Sequence, residues 1–201
     1  MSPFPLTSTS LLDYNRYLSL LVGNTTYSPS SFDLLATTTV TGATADTITF
    51  SNLSSYSSTY KHLQLRMVMR DNRSGYTGSY ARLRFNNDSG SNYSVHALYG
   101  TGSGIGSGSE INSTSVHAGE INAPNAPSGA FAPAVLDILD AFSTNKNKTT
   151  RLFAGTVNYD WLGLWSGHWR STAAVDSISI ISPLGDFVTG CRFSLYGLKA
   201  V

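Results

Sequence analysis

The chain has 201 residues, enough for one well-filled core, with 41% hydrophobic residues and a formal net charge of +1. Charged residues supply only 12% of it, and no basic field of the kind that grips phosphates stands out, so no nucleic-acid partner is expected. A single cysteine, Cys191, excludes an internal disulfide. No apolar stretch reaches the length of a membrane span and the opening MSPFPLTSTS has no signal-peptide pattern, so no membrane partner is expected and folding in the cytosol is.

Residues 1–30 differ in composition from the rest of the chain and are expected to form an N-terminal attachment arm. Pro3 and Pro5 precede the apolar run LLDYNRYLSLLVG. Ser10 and Asp13 suit the start of a short helix and Gly23 its end, with an extended arm as the other reading. Leu11, Leu12, Tyr14, Tyr17, Leu18 and Leu21 are its candidate contact residues, because so short an apolar run gains little stability alone in water.

Residues 31–201 read as a β-sandwich domain. FDLLATTTVTG is rich in branched residues, Gly42 to Asp46 turn, and ADTITF points Ile48 and Phe50 inward. YKHLQLRMVMR alternates with period two, placing Leu63, Leu65, Met67 and Met69 on one side. SYARLRF repeats the pattern with Ala81, Leu83 and Phe85, and NYSVHALYG with Tyr93, Val95, Ala97 and Tyr99. Between them an Asn-Asn-Asp-Ser-Gly cluster suits a tight turn, so residues 79–100 are predicted to be a hairpin. Arg66, Arg70, Arg82 and Arg84 then share an outward face with His62 and His96, which either keeps a solvated sheet soluble or meets an anionic partner.

The run TGSGIGSGSE reads as an exposed or flexible loop. STSVHAGEI is a further strand, and NAPNAPSG is a loop whose prolines forbid sheet pairing. AVLDILDAF and TTRLFAGTV, joined by STNKNK, are consistent with a hairpin, although the first also fits a helical turn. In NYDWLGLWSGHWR, Tyr159, Trp161, Trp165 and Trp169 form the best candidate binding surface, with core packing as the competing role. The tryptophans recur every four residues, as on a helical stripe, while Gly163 and Gly167 suit an irregular loop. DSISIIS and CRFSLYGLKA close the chain as strands, Cys191 being a buried strand residue. About ten strands without interleaved helices predict an all-β fold, an antiparallel β-sandwich of jelly-roll-like type.

Catalytic chemistry leaves no mark. His62, His96, His117 and His168 lack metal-ligand spacing, and Asn86, Asn87 and Asp88 suit an Asx-rich turn better than a calcium loop. Glu110, Glu120, Asp137, Asp140, Asp160, Asp176 and Asp186 are the acids open to a glycosidase pair, but no spacing selects two of them. No enzyme, cofactor or metal is expected.

Several phrases in order, FDLLATTTVTG, YKHLQLRM, LRFNNDSGSNYSVHALYG, STNKNKTTR, STAAVDSISI and FSLYGLK, resemble a family of small β-sandwich structural proteins of tailed bacteriophages. The likeness spans about residues 32–199 and leaves out the arm. It implies a jelly-roll-like module of a virion made in the host cytoplasm, without catalytic residues. The chain's size points to a capsid decoration or cement protein bridging subunits of the major capsid protein; the alternative is a tail- or fibre-associated module that binds a receptor or glycan. A homotrimer is expected from the symmetry of such particles, with the arm and the Trp161, Trp165, Trp169 region as candidate interfaces.

Overall fold

A computed structural model describes residues 31–156 and 160–199. The arm, with Leu11, Leu12, Tyr14, Tyr17, Leu18 and Leu21, lies outside the described residues, as does Tyr159. Residues 31–201 make up one compact unit. Its strands are β1 (Phe32–Thr39), β2 (Thr47–Phe50), β3 (His62–Met69), β4 (Gly78–Phe85), β5 (Tyr93–Thr101) and β6 (Gly104–Ser113). The second half adds β7 (Val116–Asn122), β8 (Ala132–Leu139), β9 (Lys148–Gly155), β10 (Leu162–Trp169), β11 (Ile178–Ile181) and β12 (Arg192–Leu198).

All strand pairs are antiparallel and build two sheets, an eight-stranded one in the order β1-β12-β3-β8-β9-β10-β5-β6 and a four-stranded one in the order β2-β11-β4-β7. Without β5, β6, β9 and β10, the remaining strands fall first, eighth, third, sixth in one sheet and second, seventh, fourth, fifth in the other. That order is a jelly roll, in which the chain crosses between sheets after nearly every strand. The omitted strands are two hairpins inserted after β4 and β8. Side by side, they extend the large sheet beyond β8.

The period-two alternation is borne out. Leu63, Leu65, Met67, Leu83, Phe85, Tyr93 and Val95 all belong to one core, none more than 4% exposed. β7 packs across β8, β9 and β10, and the sheets approach closely where side chains are small. A Cβ on Gly119 would come within 2.9 Å of Ala134 Cβ and Met69 Cε, and its φ of +139° itself suits glycine.

Three expectations are corrected. Residues 79–100 are not a hairpin, because β4 pairs with β7 and β11 in the small sheet while β5 pairs with β6 and β10 in the large one. Asn86 and Asn87, at φ 50° and 55°, turn the chain out of one sheet toward the other. The Gly-Ser run is strand β6, paired with β5 along its length. Glycine and serine carry little strand preference, so here the β5 template supplies the order. The tryptophan segment is neither helix nor loop but strand β10, since a spacing of four is also twice a strand's period. The hairpin expected of AVLDILDAF and TTRLFAGTV is present, as β8 and β9 paired antiparallel from Ala134 opposite Ala154 to Leu139 opposite Thr149, with no helical turn within Ala132–Leu139.

Candidate contact surface on the large sheet

Strands β8, β9 and β10 carry apolar residues on both faces, the pattern of a sheet covered on both sides. Their inner faces meet the small sheet. On the outer face, Val135, Phe153, Leu164 and Leu98 are successive cross-strand neighbours in one row across β8, β9, β10 and β5. The adjacent row brings Leu162 beside Gly155 and Gly100, and Gly100 beside Ile105 of β6. These six large residues are 38–86% exposed. Together they present roughly 600 Å² of apolar side chain, at the top of the range for a monomer's largest patch.

The patch has relief. Pro133 and Val135 form a ridge between an apolar hollow of about 520 Å³, lined by Phe153, Gly155, Trp161 and Leu162, and a more polar one of about 460 Å³, lined by Leu34, Arg66, Arg192 and Tyr196. One border is polar: Arg151 Nη2 donates to Asp137 Oδ2 at 2.7 Å, and Gln64 Nε2 donates to Asp137 Oδ1 at 2.7 Å. Across the polar hollow, the Arg66 guanidinium lies 4.9 Å over the Phe32 ring and 5.1 Å over that of Tyr196.

The predicted arginine face does not exist as one surface. Arg66 stands on the large sheet, whereas Arg82 and Arg84 are on the small one. Arg82 makes a bidentate pair with Glu110 at 2.7 and 2.9 Å, and Arg84 Nε donates to the Thr114 carbonyl. Arg70 is turned into the loop after β7, donating to the carbonyls of Pro124, Ala126, Pro127 and Ala130.

The tryptophans also act inside the subunit. Trp169 is 2% exposed, stacks on Phe85 at 5.3 Å and donates from Nε1 to Asp88 Oδ2 at 2.7 Å. That hydrogen bond, with others from Asn92 and the Gly90 N–H, holds the Asp88 carboxyl below its ordinary range against the opposing cost of burial. Trp165 is 7% exposed beneath His117, ring to ring at 4.6 Å, and His117 Nε2 contacts Glu120 Oε1 at 3.0 Å. Trp161, half-buried, stacks on Tyr99 at 4.2 Å. Tyr93 is buried beside Trp169, and burial pushes its phenol up to about 12.

Six of the seven acids open to a glycosidase pair hold local partners: Glu110 has Arg82, Glu120 has His117, Asp137 has Arg151, Asp140 has Lys146, Asp176 has Ser54 and Asp186 has Thr44. Among the described residues, no group of three or more histidine, cysteine, aspartate or glutamate side chains gathers as a metal cage would. The outer apolar face is the candidate contact surface that sequence reasoning misses. Its signal is the doubly apolar pattern of AVLDIL, RLFAG and LGLW, which side-chain order alone assigns to the core.

No protein-family model matches the chain, and no curated protein does either. The class that the structure defines is therefore the fold itself, an all-β antiparallel sandwich of jelly-roll topology.

Proposed function

We propose that the chain is a non-enzymatic structural protein of a bacteriophage particle, a capsid decoration or cement protein that bridges subunits of the major capsid protein. The observation that carries this reading is the exposed apolar face over β8, β9, β10 and β5. Roughly 600 Å² approaches the ~800 Å² per partner of a standard interface, and such a surface is stabilised by being covered. The order of sequence phrases that resemble those of phage sandwich proteins supports the particle as the place where it is covered. Self-association belongs to the reading as well, because particle modules meet symmetric lattices. The glycan-binding alternative draws less support, since Trp165 and Trp169 are buried and Trp161 has one ring face against Tyr99.

The test is reconstitution on particles lacking the protein. Wild-type chain is expected to co-sediment with heads in high copy, whereas a Phe153→Ser/Leu164→Glu variant keeps its melting temperature and fails to bind. Undiminished binding of that variant, or binding confined to tails, refutes the proposal. A chain lacking residues 1–28 tests the arm: it is expected to fold and to lose particle binding.

A further inference from the structure

Strand β6 is one of the two edge strands of the large sheet, β1 being the other, and among the described residues none pairs with its outer side. A free edge of this length is ordinarily blunted by proline, lysine or an inward-pointing charge. β6 has no proline and no lysine or arginine, and its one inward-pointing charge, Glu110, is neutralised by a bidentate pair with Arg82 of the small sheet. Its outer-face residues are Ile105, Ser107, Ser109 and Ile111, by their pairing with outward positions of β5. Ile105 is 86% and Ile111 75% exposed, the two most exposed large hydrophobic residues described.

The spacing of these residues selects the partner. Ile105 and Ile111 lie three positions either side of Gly108. When β6 runs antiparallel to β6 of a second copy about a two-fold axis through Gly108, Ile105 of each copy faces Ile111 of the other. Ser107 then faces Ser109 on the same side of the sheet, and Gly106 faces Glu110 on the opposite side. No like charges meet, and both isoleucines gain a cross-strand apolar neighbour. Gly108 presents no side chain at the axis, and Asn112, at φ 58° in a bulge, ends the regular edge just past Ile111. A pattern that matches itself on reversal fits a second copy of this chain better than any unrelated strand.

We propose that β6 is a homodimerisation edge, joining two large sheets into one continuous sheet through main-chain hydrogen bonds, with Ile105–Ile111 contacts setting the register. The axis is normal to the sheet, so the apolar outer faces of both copies point the same way and form one platform. The inference stands on the edge itself and holds whatever covers that platform. It gives a two-fold oligomer in place of the trimer expected from particle symmetry alone.

The experiment is light scattering on the full-length chain across a concentration series. Wild type is expected to be dimeric, and Ile105→Lys/Ile111→Lys to raise the dissociation constant at least tenfold while melting like wild type at concentrations low enough for both to be monomeric, because both side chains are exposed. Register is tested by mild oxidation. An Ile105→Cys/Ile111→Cys chain is expected to form disulfide-linked dimers and Ile105→Cys alone is not, since this register sets the two 105 positions about 20 Å apart. A monomeric or trimeric wild type, a dimer indifferent to the lysines, or equal cross-linking by the single cysteine overturns the proposal.

Discussion

Arg70 ends the alternating run of β3, yet its guanidinium reaches four carbonyls of the loop 124–130, whose prolines cannot pair in a sheet. Arg70→Ala should lower stability by about 2–3 kcal/mol in urea unfolding, because those carbonyls lose a charged donor. Arg70→Lys should recover only part, since an ammonium lacks the planar fork. The Asp88–Trp169 bond makes a pH-dependent prediction. A carboxyl whose folded pKa is depressed contributes stability above its unfolded value near 3.8 and loses it as pH falls through the folded one. Trp169→Phe should therefore cost about 1–2 kcal/mol at pH 7, and the gap from wild type should narrow below about pH 4. A gap constant with pH would mean that the indole matters only through packing.

At the scale of elements, β10 shows how the inserted hairpins are held. Trp165 and Trp169 face inward, and Gly167 between them lies beneath β7, where a Cβ would collide with Thr150 Oγ1 and come within 2.7 Å of Val116 Cγ1. Gly167→Ala should cost about 1–3 kcal/mol through overpacking. Gly108→Ala on β6, where nothing lies within 4 Å, should leave the melting temperature nearly unchanged. Thermal melts of the two variants side by side test whether the hairpins are clamped by the small sheet or merely appended to β8.

Over the whole molecule, one core joins both sheets, so a buried charge at its centre should not be tolerated locally. Leu65 is fully buried on β3, between β12 and β8. Leu65→Asp should abolish cooperative folding, because an unpaired carboxylate there costs several kcal/mol, comparable with the stability of a domain. The outer face predicts the opposite behaviour: polar substitutions at Phe153 or Leu164 should spare folding and change only association.

Strand identity was legible in the sequence because the period of two is local: Leu63 to Met69 and Ala81 to Phe85 announce their inner faces from side-chain order alone. The all-β class followed, and so did the core. Which strands pair was decided only in three dimensions. β4 and β5 are consecutive and equally alternating, yet they part at Asn86 and Asn87, because a crossing between sheets and a hairpin use the same turn-forming residues. The Gly-Ser run became β6 because β5 offered it an edge, a neighbour's hydrogen bonds outweighing weak local preference. The contact surface needed the tertiary structure too. Val135, Phe153, Leu164 and Leu98 come from distant segments, and only the order β8-β9-β10-β5 sets them in a row with no second sheet over them among the described residues. Burial is a property of neighbours, and neighbours are assigned by topology.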